Sequence, residues 1–235
     1  MRIAMWSGPR NLSTAMMYAF GNRADFAIWD EPFYAPYLAA TGIDHPMLAE
    51  ILAAHETDPD KVAARCIGSI PGGKPHFYMK HMPLHMIEGF PLDWAADCVN
   101  VHLLRHPARV VASYAAKREN PTLDDIGFRQ QAELFQRFPG PVIDSADIRE
   151  DPEGMLRALC AEIGLDFDPA MLHWPAGPRA EDGIWAAHWY GAVHRSTGFA
   201  GAEGPLPGLN GPAAALAEAA LPYYEELAEK RILPK

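Results

Sequence analysis

With 235 residues, 49% of them hydrophobic, the chain has enough apolar surface to build one large α/β domain and too much to stay disordered. Its formal charge is −10 and Lys and Arg are nowhere concentrated, which argues against nucleic acid and anionic membranes as partners. Cys66, Cys98 and Cys160 are odd in number and far apart, so neither a disulfide framework nor a thiolate zinc site is expected, and the compartment reads as reducing.

The first apolar run, residues 3–6, stops at Ser7-Gly8-Pro9, too soon for the core of a signal peptide, and no run of about 18 apolar residues follows. A cytoplasmic protein without membrane spans is the expectation. Arg2 to Trp6 reads as a strand, Gly8-Pro9 as a turn, and Leu12 to Phe20 as a helix. Phe26 to Trp29 is a second strand, closed by Asp30-Glu31-Pro32. Residues 34–66 read as helical, with starts at His45-Pro46 and Asp58-Pro59, and residues 68–75 as a loop. His76 to Lys80 and Cys98 to Leu104 are the third and fourth strands, and Pro107 opens a helix running to about Lys117. A helix at 123–138, a fifth strand at 141–144 and an amphipathic helix opened by Asp151-Pro152 complete the alternation. That order predicts an α/β fold with a parallel sheet of about five strands flanked by helices. Residues 201–212, crowded with Gly and Pro, read as a loop, and residues 213–230 as a C-terminal helix broken at Pro222. No repeat or second domain is visible, so 1–235 reads as a single domain.

The turn after the first strand is a candidate phosphate loop. A nucleotide kinase or GTPase, counted from Gly8, requires glycine at position 13 and lysine at position 14, where this chain has Ser13 and Thr14. The cation sits inside the loop instead, as Arg10, and Ser13 and Thr14 begin a helix whose free N–H groups and dipole attract an anion. The plain alternative is an ordinary strand-to-helix turn capped by Ser13.

Pro9-Arg10-Asn11-Leu12-Ser13-Thr14 resembles the loop with which sulfotransferases of the P-loop fold grip the 5′-phosphosulfate of 3′-phosphoadenosine 5′-phosphosulfate (PAPS). That loop is commonly Pro, then Lys or Arg, Ser, Gly, Thr or Ser, and Thr. Leu12 departs from the usual glycine and is barred from left-handed backbone, so the loop is expected to turn earlier or to enter its helix sooner, with Asn11 as the candidate for the turn. In the same family an Arg ending a central strand and a Ser eight residues later hold the 3′-phosphate, and Arg105 and Ser113 have that spacing. A guanidinium at a strand's carboxyl end and a hydroxyl on the next helix can converge on one phosphate. Taken singly, Arg105 also suits a salt bridge and Ser113 helix packing. His194-Arg195-Ser196-Thr197-Gly198 is a looser likeness to a later Arg-Lys-Gly segment. The resemblance therefore implies a sulfotransferase fold, PAPS as donor with no metal, and Arg10, Asn11, Leu12, Ser13, Thr14, Arg105, Ser113 and Arg195 as donor-binding residues. The combination of Trp6-Ser7-Gly8-Pro9-Arg10-Asn11 with Asp30-Glu31-Pro32-Phe33 looks like a small bacterial type of the family, related to domains fused to branched-chain aminotransferase-like proteins.

Sulfuryl transfer to an alcohol needs a base and a cation, and Arg10 supplies the cation. For the base, Glu31 resembles the Glu-Pro carboxylate of carbohydrate-type sulfotransferases. His81 is the rival, because Lys80-His81-Met82-Pro83 is similar to the Lys-x-His-x-Pro segment of cytosolic enzymes with the histidine one residue early. If residues 80 and 81 continue a strand, their side chains point to opposite faces. Asp30 and Glu31 also suit the start of a helix, and Trp6, Trp185, Trp189 and Tyr190 suit either a core or an adenine contact. The HxxxH spacings of His81 with His85 and of His102 with His106 are interrupted by Pro83 and by a strand end, respectively. The expected function is sulfuryl transfer to a small molecule or carbohydrate; the alternatives are a magnesium-dependent small-molecule kinase and a non-catalytic nucleotide-binding module. Acceptor and oligomeric state are not readable.

Overall fold

Strands β1 (Arg2–Ser7), β2 (Phe26–Asp30), β3 (His76–His81), β4 (Val99–Leu104) and β5 (Val142–Asp144) form one sheet in the order β2-β3-β1-β4-β5, with every pairing parallel. The computed structural model describes residues 1–115 and 121–233. Apolar runs suit a sheet buried on both faces, and alternate residues divide between them. Ile3 and Met5 face one cluster with Tyr78, Val101 and Leu103, while Ala4 and Trp6 face the other with Phe77 and Met79.

The first face is covered by α1 (Ser13–Gly21) through Met16, Met17 and Phe20. Residues 34–66 form three short helices rather than a longer run: α2 (Tyr34–Thr41), α3 (Leu48–Ala54) and α4 (Pro59–Ile67). Left-handed backbone at Gly42 ends α2, and Met47 takes the same conformation before α3. Asp58 caps α4 by accepting from the N–H groups of Asp60 and Lys61, with Pro59 in the first turn. Val62, Ala63 and Cys66 of α4 then cover the second face.

After β4 comes α5 (Pro107–Ala115); its predicted end near Lys117 lies outside the described residues. Helices α6 (Leu123–Ile126) and α7 (Phe128–Arg137) follow, with Leu134 of α7 joining the second face. Beyond β5 lie α8 (Ser145–Glu150), α9 (Pro152–Glu162), the one-turn α10 (Ala186–Trp189) and α11 (Gly211–Ala228). Met155, Leu156 and Leu159 of α9 complete the first face. The expected break at Pro222 does not occur: α11 runs through it. Pro222 is exposed, so water can serve the carbonyl that loses its N–H partner. Among the described residues no helix is long and apolar enough to cross a membrane.

The parallel register brings the carboxyl ends of the strands to one edge, pairing Asp30 with Lys80, Trp6 with His81 and Leu104 with Asp144. Lys80 and His81 both belong to β3 and therefore point to opposite faces. Lys80 faces the α1 side; His81 is buried among the rings of Trp6, Phe33 and Trp94, at 4.8, 6.0 and 4.8 Å between centroids. Its Nε2 is buried without a hydrogen-bond partner.

Burial, and then His85, lower the His81 imidazole to about 3, while burial lowers His102 to about 4. An unfolded histidine titrates near 6.5, so below that pH the unfolded chain binds protons that the fold refuses and stability falls with falling pH. Replacing His81 with Leu should flatten that decline between about pH 6.5 and 4 by up to about 1.4 kcal/mol per pH unit, read from urea unfolding midpoints.

Candidate functional site

Between β1 and α1 the chain turns at Arg10, whose φ of 57° lies in the left-handed region. This is one residue before the expected Asn11 and two before Leu12, which takes an ordinary φ of −84° as the residue preceding the helix. A leucine at the usual glycine position is thus accommodated by moving the turn upstream. Asn11 ties the loop down: its Oδ1 accepts from the Leu12 N–H at 2.7 Å and its Nδ2 donates to the Leu103 carbonyl at 3.0 Å. Gln131 Nε2 donates to the Trp6 and Leu103 carbonyls, both at 3.1 Å, closing off the strand ends beneath the loop. Gly8 is required because a Cβ there would lie 2.8 Å from the Ile126 carbonyl oxygen. Ser13 makes no cap, and α1 begins with no side-chain acceptor. Its first-turn N–H groups have no carbonyl of their own helix to bond and point to the sheet edge.

Arg105, at the end of β4, reaches back to this loop: Nη1 donates to the Arg10 carbonyl at 2.6 Å. Arg10 Nε in turn donates to Ser113 Oγ on α5 at 3.0 Å. Burial, and then the nearby Arg105, lower the Arg10 guanidinium below its ordinary value, as expected for like charges held close in a partly dry place. The other arm of Arg105 binds the carboxylate of Glu203, which Arg149 Nη1 meets at 2.7 Å and Arg109 Nε at 3.0 Å.

Beside the loop, β2 ends in Asp30 and Glu31. Lys80 Nζ, almost wholly buried, donates to Asp30 Oδ1 at 3.0 Å, to Glu31 Oε1 at 2.5 Å and to the Tyr190 hydroxyl oxygen at 2.5 Å. The Tyr190 hydroxyl donates to Asp30 Oδ2 at 2.7 Å and accepts from Trp185 Nε1 at 3.2 Å. The Gly183 N–H also donates to Asp30 Oδ2 at 3.1 Å, and a Cβ at Gly183 would fall 2.1 Å from the Trp185 ring. Burial alone would lower Lys80, but Asp30 and Glu31 outweigh it and the ammonium is held above its ordinary value. Burial pushes the Asp30 carboxyl up against the pull of Lys80. Glu31 carries a φ of 40°, a strained backbone for a residue with a Cβ. Lys80 stabilises it twice, since the Glu31 N–H also donates to the Lys80 carbonyl at 2.9 Å.

A cavity of about 930 Å³ joins these parts. Arg10, Asn11, Leu12, Ser13 and Thr14 line it, as do Arg105, Ser113, Glu31 and the exposed Arg195. His81 does not, because continuation of β3 turns it into the opposite face; Trp6 is likewise buried there, donating to Asn100 Oδ1 at 2.8 Å. Sequence reasoning missed the grouping of Lys80, Asp30 and Tyr190 around Glu31. The adjacency of Lys80 to the strand end was the available signal, while Tyr190 lies 110 residues away and gave none. It also missed His85, which stacks between Tyr34 and Tyr37 at 4.7 and 5.0 Å and lines the cavity. Burial, and then Lys80 and His45, hold His85 neutral, well below the usual histidine range. Trp189, His45, Ile43 and Leu84 continue this mostly apolar end. Among the described residues no three His, Cys, Asp or Glu side chains group as metal ligands.

The sequence matches the Sulfotransferase domain family over residues 1–231. Two proteins of Arabidopsis thaliana are similar: branched-chain-amino-acid aminotransferase-like protein 2, 36% identical over 202 residues, and protein 1, 38% identical over 203. Each alignment covers 84% of this chain and 36% of the relative, so the chain spans about a third of the curated relatives it matches. The sulfotransferase domain from the curacin biosynthetic pathway superposes with a TM-score of 0.47 at 13% identity, covering 99% of this chain and 98% of that one. So distant a likeness assigns no residue a role.

Lys80→Met leaves two carboxylates in a dry site with no cation. The expected loss of folding stability is about 3–5 kcal/mol, measured by urea unfolding at neutral pH.

Proposed function

The chain belongs to the sulfotransferase domain family, and from that footing we propose that it is a cytoplasmic enzyme, one domain over 1–235, that moves a sulfuryl group from PAPS to a hydroxyl or amine of a small molecule or carbohydrate. The observation that carries this reading is a single cavity joining two features: an uncapped helix start flanked by Arg10 and Arg105, and a carboxylate held on a buried cation. The first suits the phosphates of an anionic donor, the second a proton-accepting group beside the acceptor.

In the proposed reaction the first-turn N–H groups of α1 and the Arg10 guanidinium hold the 5′-phosphosulfate, Arg105 and Ser113 the ribose phosphate, and Arg195 closes the mouth. Asn11 and Leu12 shape the loop, because the Asn11 side chain is engaged by the Leu103 carbonyl and by the Leu12 N–H. The acceptor atom attacks sulfur, and the bond from sulfur to the 5′-phosphate oxygen breaks with its electron pair leaving on the nucleotide. The acceptor proton passes to Glu31. Oε1 of Glu31 is oriented by Lys80, which leaves Oε2 to take that proton. Charge developing on the leaving oxygen falls where Arg10 and the helix dipole stabilise it.

The test is sulfuryl transfer from PAPS to a panel of phenols, aliphatic alcohols, amines and sugars, read as product mass and release of the 3′,5′-bisphosphate. Glu31→Gln should lower kcat by roughly 10²- to 10⁴-fold, the range of a removed general base, and His81→Leu should leave it unchanged. Absence of transfer to every acceptor, together with no binding of the bisphosphate nucleotide, overturns the proposal.

A further inference from the structure

Residues 201–210 form no helix or strand and most of them are exposed, yet the side chain of Glu203 is only 4% exposed. Leu209 packs against Val110 and Val111 at the far end of the segment, and before it the chain is held through one carboxylate and the backbone beside it. Arg105, Arg109 and Arg149 all converge on that carboxylate, while Arg149 Nε donates to the Gly201 carbonyl at 2.8 Å and Arg109 Nη2 donates to the Gly204 carbonyl. Three guanidinium groups against one carboxylate leave two positive charges in excess.

Arg105 connects this cluster to the cavity, which it lines, and its Nη1 is fixed to the phosphate loop at the Arg10 carbonyl. Its remaining arm, the one with which it would meet a phosphate, is occupied by Glu203. A phosphate monoester carries about two negative charges and three accepting oxygens at neutral pH, and so answers three guanidinium groups more fully than one carboxylate does. The Glu203 carboxyl is held below the usual carboxylate range, because the three arginines outweigh its burial, so it is a charged occupant.

We propose that Glu203 is an internal occupant of a phosphate-monoester site built by Arg105, Arg109 and Arg149, and that the ribose phosphate of the donor nucleotide displaces it, freeing residues 201–208. The inference rests on the donor reading above and adds a competitor to it. Occupancy by Glu203 lowers the apparent affinity for the nucleotide by the fraction of time the site is open.

The experiment measures, by calorimetry, binding of adenosine 3′,5′-bisphosphate and of adenosine 5′-phosphate, which lacks the ribose phosphate, to the wild type and to Glu203→Gln. The expected result is bisphosphate binding tighter by about tenfold in the variant, with the 5′-phosphate changed by less than about twofold. Equal or weaker bisphosphate binding, or equal tightening for both nucleotides, overturns the proposal while leaving the donor reading intact. Binding of neither nucleotide to either protein removes the donor reading and this inference with it. Limited proteolysis of the wild type with a protease of broad specificity decides the matter without a variant: the bisphosphate should speed cleavage within residues 201–208 and the 5′-phosphate should not. No change with the bisphosphate overturns the displacement.

Discussion

A single buried ammonium organises the floor of the cavity. Lys80 lies in the sheet with almost no solvent contact, and an unpaired charge there would be prohibitively costly. Asp30 and Glu31 from the neighbouring strand compensate it, and the surplus negative charge is met by the Tyr190 hydroxyl and the Gly183 N–H from a distant segment. Electroneutrality in a dry place therefore forces β2, β3 and the 183–190 segment together, and forces Glu31 into a backbone conformation that it would otherwise avoid. The carboxylate proposed as the base owes its position to this balance.

The cavity has two ends of different character. One is built from backbone and Arg10 at the β1–α1 turn, from Arg105 just after β4 and from Ser113 on α5; the other from Tyr34, Tyr37, His85 and Trp189 on loops and short helices. The first depends on parallel strand register, on the Asn11 and Gln131 bonds to strand-end carbonyls, and on the close approach that Gly8 allows. The second depends on ring stacking and apolar contact. Change at the aromatic end can therefore reshape that part of the cavity without disturbing the β1–α1 turn, provided Lys80 and its partners stay.

Alternation of apolar runs with helical periods was legible from sequence because parallel sheets bury both faces of their strands, and the five strands fall within a residue or two of the ranges read from the chain. The turn from β1 into α1 was legible because glycine and proline follow an apolar run and precede a helical one. Less was readable where tertiary context decides. Whether His81 could join Lys80 at the cavity turned on whether the strand continues through residue 81 or turns there, a boundary that local pattern does not set. Asn11 was the natural candidate for left-handed backbone, yet its side chain is better used on the Leu103 carbonyl and the turn moves to Arg10. Pro222 reads as a break, and its exposed setting removes the reason for one. Tyr190 and Glu203 act through contacts about a hundred or more residues apart in the chain, which no local pattern announces.

The left-handed turn at Arg10 also bears on how the proposed donor would be received. A glycine-rich loop is soft and tightens around its ligand, so part of the binding energy goes into ordering it. Here the corresponding backbone is held open in advance by a side chain on each flank, Asn11 on Leu103 and Arg10 on Ser113, and by the apolar seat of Leu12 against the core. Its ordering entropy is met when the protein folds. The loop is thus a socket set in advance, by bonds made within the fold.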